Sequence, residues 1–197
     1  MALAGRRSNK IGMSFVNIPD PPSHLKPCTI IGLGNEYLSD DGVGIRVIQG
    51  LKKRLSGASI VFEELAVGGL ELLDYVVGYR ECIIVDAITS GNQPAGTLYR
   101  FVQSPDQEPL KLTSSHQIDL GQVLALAKLL GASLPTKLTV YGIEVADITT
   151  FRDGCTEEVS KAIPKLVDLI CTDVHPNRIN SPVCTGEWQV IDHLVTI

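Results

Sequence analysis

The sequence lacks the features of a membrane, secreted or nucleic-acid-binding protein. It has no run of about 18 apolar residues, the length that a transmembrane helix needs. Its formal net charge of −5 and pI of about 5.3 disfavour nucleic acid or an anionic membrane as the main partner. Basic residues near the start are not followed by the apolar segment of a signal peptide. We therefore expect a cytoplasmic protein.

The cysteines have neither the number nor the spacing of a disulfide or zinc framework. There are five, an odd number, and none forms a C-x-x-C pair. Cys28 and Cys82 stand in strand-like segments, where buried structural thiols are common. The H-E-x-x-H motif of zinc proteases and the G-x-S-x-G motif of serine hydrolases are both absent. No Ser or Cys stands in a convincing triad, so water is the expected nucleophile if the protein is a hydrolase.

The most informative stretch is a strand, a glycine turn and a helix near the N-terminus. The β-branched run Thr29–Ile31 favours a buried strand. Gly32 and Gly34 then allow the backbone to turn sharply. Ser39 is a predicted N-cap for an amphipathic helix over about residues 40–55. Two adjacent carboxylates are thus expected at the start of this helix.

The remaining sequence alternates strand and helix patterns. Further strands are expected over about residues 59–64, 81–88, 97–102 and 137–145, and further helices over about 70–77, 116–130 and 156–170. This alternation predicts a single three-layer α/β/α domain around a mostly parallel, about five-stranded sheet. We expect that domain over residues 27–172, after a flexible N-terminal extension (1–26) and before a C-terminal tail of uncertain structure (173–197).

Three groups of polar side chains are expected at the carboxyl edge of the sheet, where open α/β sheets bind ligands. They are the Asp40/Asp41 pair after the first strand, Asp86 after the third, and His116 before the third helix. Two carboxylates and an imidazole suit a divalent metal and leave coordination positions open. Other roles remain compatible with the pattern: complementing a helix dipole for either Asp of the pair, capping a turn for Asp86, and a hydrogen-bonded helix terminus for His116.

A nucleotide site is disfavoured at the same place. In the dinucleotide fingerprint a third glycine follows the first two, and Tyr37 occupies that position here. A helix N-terminus can bind phosphate, but Asp40 and Asp41 would repel it.

The residues around these candidates resemble a known family. Gly32-Leu-Gly-Asn-Glu-Tyr-Leu-Ser-Asp-Asp-Gly-Val-Gly44 is similar to the opening motif of the [NiFe]-hydrogenase maturation proteases. The resemblance continues in Ile83-Ile-Val-Asp-Ala87, in Ser115-His-Gln117 and in Gly142-Ile-Glu144, with order and spacing preserved. It covers roughly residues 28–172, and the N-terminal extension and the tail lie outside it.

The resemblance implies a cytoplasmic endopeptidase that removes a C-terminal extension from the hydrogenase large-subunit precursor after nickel insertion. It implies that Asp41, Asp86 and His116 form the catalytic and metal-binding site, which recognises nickel held by the cysteines of the substrate. The resting enzyme then needs no tightly bound metal of its own, although zinc or cadmium could occupy the site. We further expect a monomer. Asp40 is expected to orient Asp41. Asn35, together with Gly32 and Gly34, is expected to shape the turn that presents Asp41.

One segment departs from the family pattern. Several relatives have an Asp-Gly-Gly-Thr-like segment before the second helix, whereas this chain has Glu64-Leu-Ala-Val-Gly-Gly69, with Glu64 at the acidic position. The alternative function is a non-catalytic metal- or small-ligand-binding module, similar to a nickel chaperone, at the same edge of the sheet.

Overall fold

The architecture is a mostly parallel β-sheet with helices on both faces. The computed structural model describes residues 26–56, 58–66, 69–103, 120–174 and 189–191. The strands are β1 (Lys26–Leu33), β2 (Ile60–Leu65), β3 (Tyr79–Ile88), β4 (Leu98–Gln103), β5 (Lys137–Glu144) and β6 (Gln189–Val190). The α-helices are α1 (Val43–Arg54), α2 (Leu73–Val76), α3 (Leu120–Leu129) and α4 (Glu157–Asp173), and two 3₁₀ turns, Ser39–Gly42 and Gly69–Leu72, precede α1 and α2.

The six strands lie in the order β2-β1-β3-β5-β4-β6. The first four are parallel, while β4 runs antiparallel to β5 and β6 antiparallel to β4. The predicted α/β class and mostly parallel sheet are therefore confirmed. The strand beyond the expected five is β6, a two-residue edge strand from the tail, whose neighbour Ile191 is buried in the core.

The hydrophobic core has one half on each face of the sheet. Alternate side chains of the central strands, such as Ile30 and Val85, pack against α1 and α4. The side chains between them, such as Ile31 and Ile84, pack against α2 and α3. Because β3 is buried on both faces from Cys82 to Ile88, its sequence is a nearly continuous apolar run. Among the helices in the described ranges, none is long and apolar enough to span a membrane.

Candidate active site

The site lies at the point where the strand order reverses. The chain passes from β1 to β2 on one side and then returns to place β3 on the other side of β1. The connections that leave the carboxyl ends of β1 and β3 therefore diverge and open a crevice between them. The structure places Asp41 just after β1 and Asp86 near the end of β3, so both predicted carboxylates belong to this crevice.

Glycines bring the start of α1 directly onto the ends of these two strands. A Cβ atom at Gly44 would lie 2.3 Å from the carbonyl oxygen of Leu33 and 2.5 Å from that of Val85. A Cβ atom at Gly32 would lie 2.4 Å from the carbonyl oxygen of Gly44. The 3₁₀ turn that carries Asp41 consequently contacts β3, the strand that carries Asp86. Only glycine permits this approach of helix to sheet.

The turn after β1 is closed around Asn35 and Asp41. Gly34 has φ +142°, and its N–H donates to the carbonyl oxygen of Leu65 on β2. The N–H of Asn35 donates to Oδ2 of Asp41 at 2.9 Å, and Oδ1 of Asn35 accepts the N–H of Tyr37 at 3.1 Å. Asn35 therefore shapes the turn, as predicted. Asp41 is only 6% exposed, so its carboxylate is almost wholly buried.

Asp86 is a second buried carboxylate at the same edge. It is 3% exposed, lies opposite Gly142 of β5, and its Oδ1 accepts the N–H of Ala87 at 2.8 Å. Because its side chain alternates with those of its strand neighbours, it lies on the face of the sheet that is covered by α3. His116 lies outside the described residues. Within the described ranges, no cluster of three His, Cys, Asp or Glu residues could hold a metal ion.

Asp40 joins two loops at the start of α1. It is completely buried, and its carboxylate accepts hydrogen bonds from the loop between β5 and α4. Its Oδ2 accepts the N–H groups of Ala146 and Asp147, each at 3.1 Å, and the hydroxyl of Thr156 at 3.0 Å. Its Oδ1 accepts the N–H of Thr156 at 2.6 Å. This carboxylate therefore fastens the β5–α4 loop to the 3₁₀ turn that carries Asp41. That Asp40 orients Asp41 stays a prediction.

The predicted N-cap at Ser39 is wrong. Ser39 is inside the 3₁₀ turn with φ +46°, its side chain makes no capping hydrogen bond, and α1 begins after Gly42. The physical reason is that the chain enters α1 through a 3₁₀ turn, whose first residues are hydrogen-bonded to the β5–α4 loop through Arg152 and Asp147.

Glu144 is a buried carboxylate to which the sequence reasoning gave no role. At 2% exposure, it accepts hydrogen bonds from the Ser90 hydroxyl at 2.7 Å, the Gly91 N–H at 2.8 Å and the Tyr99 hydroxyl at 2.8 Å. The sequence feature that marks Glu144 is its position as a single acidic residue at the end of the apolar strand β5. Its bonds fix the loop that follows β3. Glu64, the residue that departs from the family pattern, pairs on the surface with Lys52 at 2.6 Å.

The described cysteines are poor candidates for a nucleophile. Burial raises the pKa of Cys28 to about 12 and that of Cys155 to about 11, and it also raises the pKa values of Cys82 and Cys171. A reactive cysteine needs the opposite shift, because the thiolate is the attacking form.

A family model and the curated relatives of this chain agree on one protein family. The family model for HycI, described as hydrogenase maturation protease, matches residues 45–173, which is well over half of the chain. The hydrogenase expression/formation protein HupD of Bradyrhizobium diazoefficiens is 28% identical over 174 residues, which cover 83% of this chain and 90% of that protein. The hydrogenase 2 maturation protease of Escherichia coli is 30% identical over 118 residues, covering 58% of this chain and 70% of that one.

Solved structures show the same fold. The hydrogenase maturating endopeptidase HybD of Escherichia coli superimposes with a TM-score of 0.64 at 25% identity, covering 75% of this chain and 91% of that one. The [NiFe] hydrogenase maturation protease HybD of Thermococcus kodakarensis gives a TM-score of 0.57 at 24% identity and covers 76% of this chain and 99% of that one. The predicted resemblance is thereby confirmed, and the chain belongs to the hydrogenase maturation proteases, a family of hydrolases.

Proposed function

We propose that this protein is an endopeptidase that removes the C-terminal extension of a [NiFe]-hydrogenase large-subunit precursor after nickel insertion. The observation that carries the proposal is that two buried carboxylates, Asp41 and Asp86, come to the same switch point in a sheet shared with proteins named as endopeptidases. Buried acidic residues in the crevice of an open α/β sheet are typical of a functional site.

We assign the recognition of nickel to Asp41, Asp86 and His116. Two carboxylates and an imidazole suit divalent ions such as nickel, zinc or cadmium, and three protein ligands leave positions open for groups of the substrate. Nickel is part of the precursor in this proposal, and at the site it would supply Lewis-acid polarisation. In the sequence His116 precedes α3, and α3 covers the face of the sheet on which Asp86 lies. This order along the chain supports including His116 in the proposed nickel-recognition site.

Water is the proposed nucleophile. The four described cysteines all have raised pKa values, so thiolate attack by them is disfavoured at neutral pH. A site carboxylate would accept the proton of the attacking water. We propose that the protein acts as a monomer in the cytoplasm, without nucleic acid or membrane as a partner, in keeping with its acidic net charge of −5.

The test is intact-mass analysis of a large-subunit precursor incubated with this protein. Precursor loaded with nickel is compared with nickel-free precursor. We expect loss of a C-terminal peptide only from the nickel-loaded form. Cleavage of both forms would refute nickel as the checkpoint, and cleavage of neither, with nickel-dependent binding retained, would favour the non-catalytic metal-binding module.

Three variants test the site residues. Asp41→Asn, Asp86→Asn and His116→Ala should each lower the cleavage rate by at least about a hundredfold, the scale expected when an essential acid–base or ligand group is removed. Asp168→Asn is the matched control, because Asp168 lies near the C-terminal end of α4, away from the carboxyl edge, and its side chain is 57% exposed and pairs with Arg54. Near-normal cleavage by a folded His116→Ala variant would refute the assignment of His116.

A further inference from the structure

Two exposed aromatic residues lie on two bridged loops, one of which leads into the 3₁₀ turn that carries Asp41. Tyr37, in the turn after β1, is 64% exposed, and Phe151, in the loop between β5 and α4, is 84% exposed. The two loops are joined by a parallel β-bridge between Leu38 and Arg152, the immediate chain neighbours of the two aromatics. We call Tyr37 and Phe151 the aromatic rim.

The loops that carry the aromatic rim are firmly held. The N–H of Arg152 donates to the carbonyl oxygen of Tyr37 at 3.1 Å, and the N–H of Ser39 donates to that of Arg152 at 3.2 Å. The buried carboxylate of Asp40 fastens the same two loops together through its four hydrogen bonds. Near Phe151, Oδ1 of Asp147 accepts the N–H groups of Thr149 and Thr150. The exposed rings therefore stand on a backbone that is already ordered, which lowers the entropic cost of binding a partner.

The guanidinium groups beside the rim are already hydrogen-bonded. Arg46 forms an ion pair with Asp153 at 2.9 Å and also donates to the carbonyl oxygen of Glu36. The guanidinium of Arg152 donates to the carbonyl oxygen of Cys155 at 3.2 Å. Apolar contact is thus the main interaction that the rim offers, and rigid exposed aromatics are the residue type enriched in protein interfaces.

We propose that the aromatic rim docks an apolar segment of the hydrogenase large-subunit precursor next to its cleavage site. This inference rests on the proposed function, because a protein substrate must lie across the edge of the sheet to reach Asp41. The rim is continuous with that site: Tyr37 and Asp41 belong to one turn, in which the N–H of Asp41 donates to the carbonyl oxygen of Leu38 at 2.9 Å. Its role is to bind substrate, so it acts on KM and leaves kcat nearly unchanged.

The chain offers a matched control at the other edge of the sheet. Leu129 and Leu130 are 83% and 71% exposed at the end of α3. The loop that follows α3 accepts a hydrogen bond at Ser133 from the N–H of Gly78, just before β3 begins. These leucines therefore present comparable apolar surface far from the carboxyl edge.

The experiment measures steady-state cleavage of nickel-loaded precursor by Tyr37→Ser, Phe151→Ser, Phe151→Leu and Leu129→Ser variants. Loss of a central interface aromatic should raise KM about tenfold in either serine variant, with kcat within about twofold of the wild type. Phe151→Leu keeps an apolar side chain and should restore most of the affinity, while Leu129→Ser should behave like the wild type. An unchanged KM in both serine variants of the rim would overturn the proposal.

Binding is measured separately from cleavage, so that failure of the docking surface and failure of the proposed function can be distinguished. Full-length wild type and the same variants are tested for precursor binding by surface plasmon resonance. A wild type that binds without cleaving would refute the endopeptidase, and weaker binding by Phe151→Ser would still support the rim. Equal binding by all variants would overturn the rim. Concentration-dependent dimerisation of the wild type that is lost in Phe151→Ser would also overturn it, because a second copy would then be the occupant.

Discussion

Replacing Asp40 tests whether one buried carboxylate joins the two loops at the site. In Asp40→Asn, the amide oxygen can occupy the place of Oδ2 and keep three acceptor contacts: the N–H groups of Ala146 and Asp147 and the hydroxyl of Thr156. The amide NH₂ then stands where Oδ1 accepted the N–H of Thr156 at 2.6 Å. Two donors face each other there, and the N–H of Thr156 loses its partner. The opposite orientation is worse, because it sets the NH₂ against two backbone N–H groups.

The expected cost follows from these contacts. Loss of one charge-assisted hydrogen bond, together with an unsatisfied buried donor, should lower the free energy of unfolding by about 2–4 kcal/mol in Asp40→Asn. Asp40→Ala removes all four bonds, and we expect a loss of about 3–5 kcal/mol, since water can satisfy part of the vacated donor set. For a chain of 197 residues, the larger loss corresponds to a fall in Tm of roughly 6–20 °C.

The assay is urea denaturation followed by far-UV circular dichroism, with thermal scans in parallel. Asp153→Asn is the control, because its side chain is 97% exposed and a surface ion pair contributes only about 0–1 kcal/mol. A cost for Asp40→Asn no larger than that for Asp153→Asn would refute the role of Asp40. A variant that remains folded should also cleave precursor more slowly, because the turn that carries Asp41 has lost an anchor.

Three further predictions concern packing, thiol reactivity and pH. Gly44→Ala should destabilise the fold by about 2–4 kcal/mol in the same denaturation assay, since its Cβ would overlap backbone oxygens of β1 and β3. Gly50→Ala is the control and should cost less, because its Cβ would meet only a methyl group of Val167 at 2.9 Å. Equal losses of stability in the two variants would contradict the close contact between α1 and the sheet. Burial raises the pKa of Cys155 to about 11, so this thiol should resist iodoacetamide at pH 8 in the folded protein and react after denaturation. Labelling is read by peptide mass spectrometry, and rapid labelling of Cys155 in the native state would contradict the prediction. Hydrogen bonds, of which the one from the N–H of Thr149 is the strongest, lower the pKa of Asp147 to about 2 from its ordinary 3.8. The stability that this carboxylate adds is therefore fully present above pH 3.8 and is lost as the pH falls through 2. A midpoint near 3.8 in an NMR titration of this carboxyl group would contradict the prediction.

Local sequence determined the elements and the placement of the two described site carboxylates. The β-branched run before Gly32 and the apolar run before Asp86 each specify a buried strand, because side-chain burial and β-propensity act over a few residues. Since both strands were expected to be parallel, their carboxyl ends, and with them Asp41 and Asp86, had to lie at one edge. His116 was expected at the same edge from its place before the third helix; it lies outside the described residues, and its assignment stays a prediction.

Tertiary structure decided which of the buried carboxylates hold distant loops together. Asp40 and Asp41 are adjacent and chemically identical in sequence, yet Asp40 binds a loop 106–116 residues further along the chain, while Asp41 closes its own turn. Glu144 similarly fixes a loop 53–54 residues before it. Hydrogen-bond partners so distant in sequence are set by strand order and loop geometry, which local propensity does not contain. The sequence by itself therefore determined the motif, the elements and the edge of the sheet. Only the tertiary structure assigned Asp40 to the scaffold and joined the loops that carry Tyr37 and Phe151.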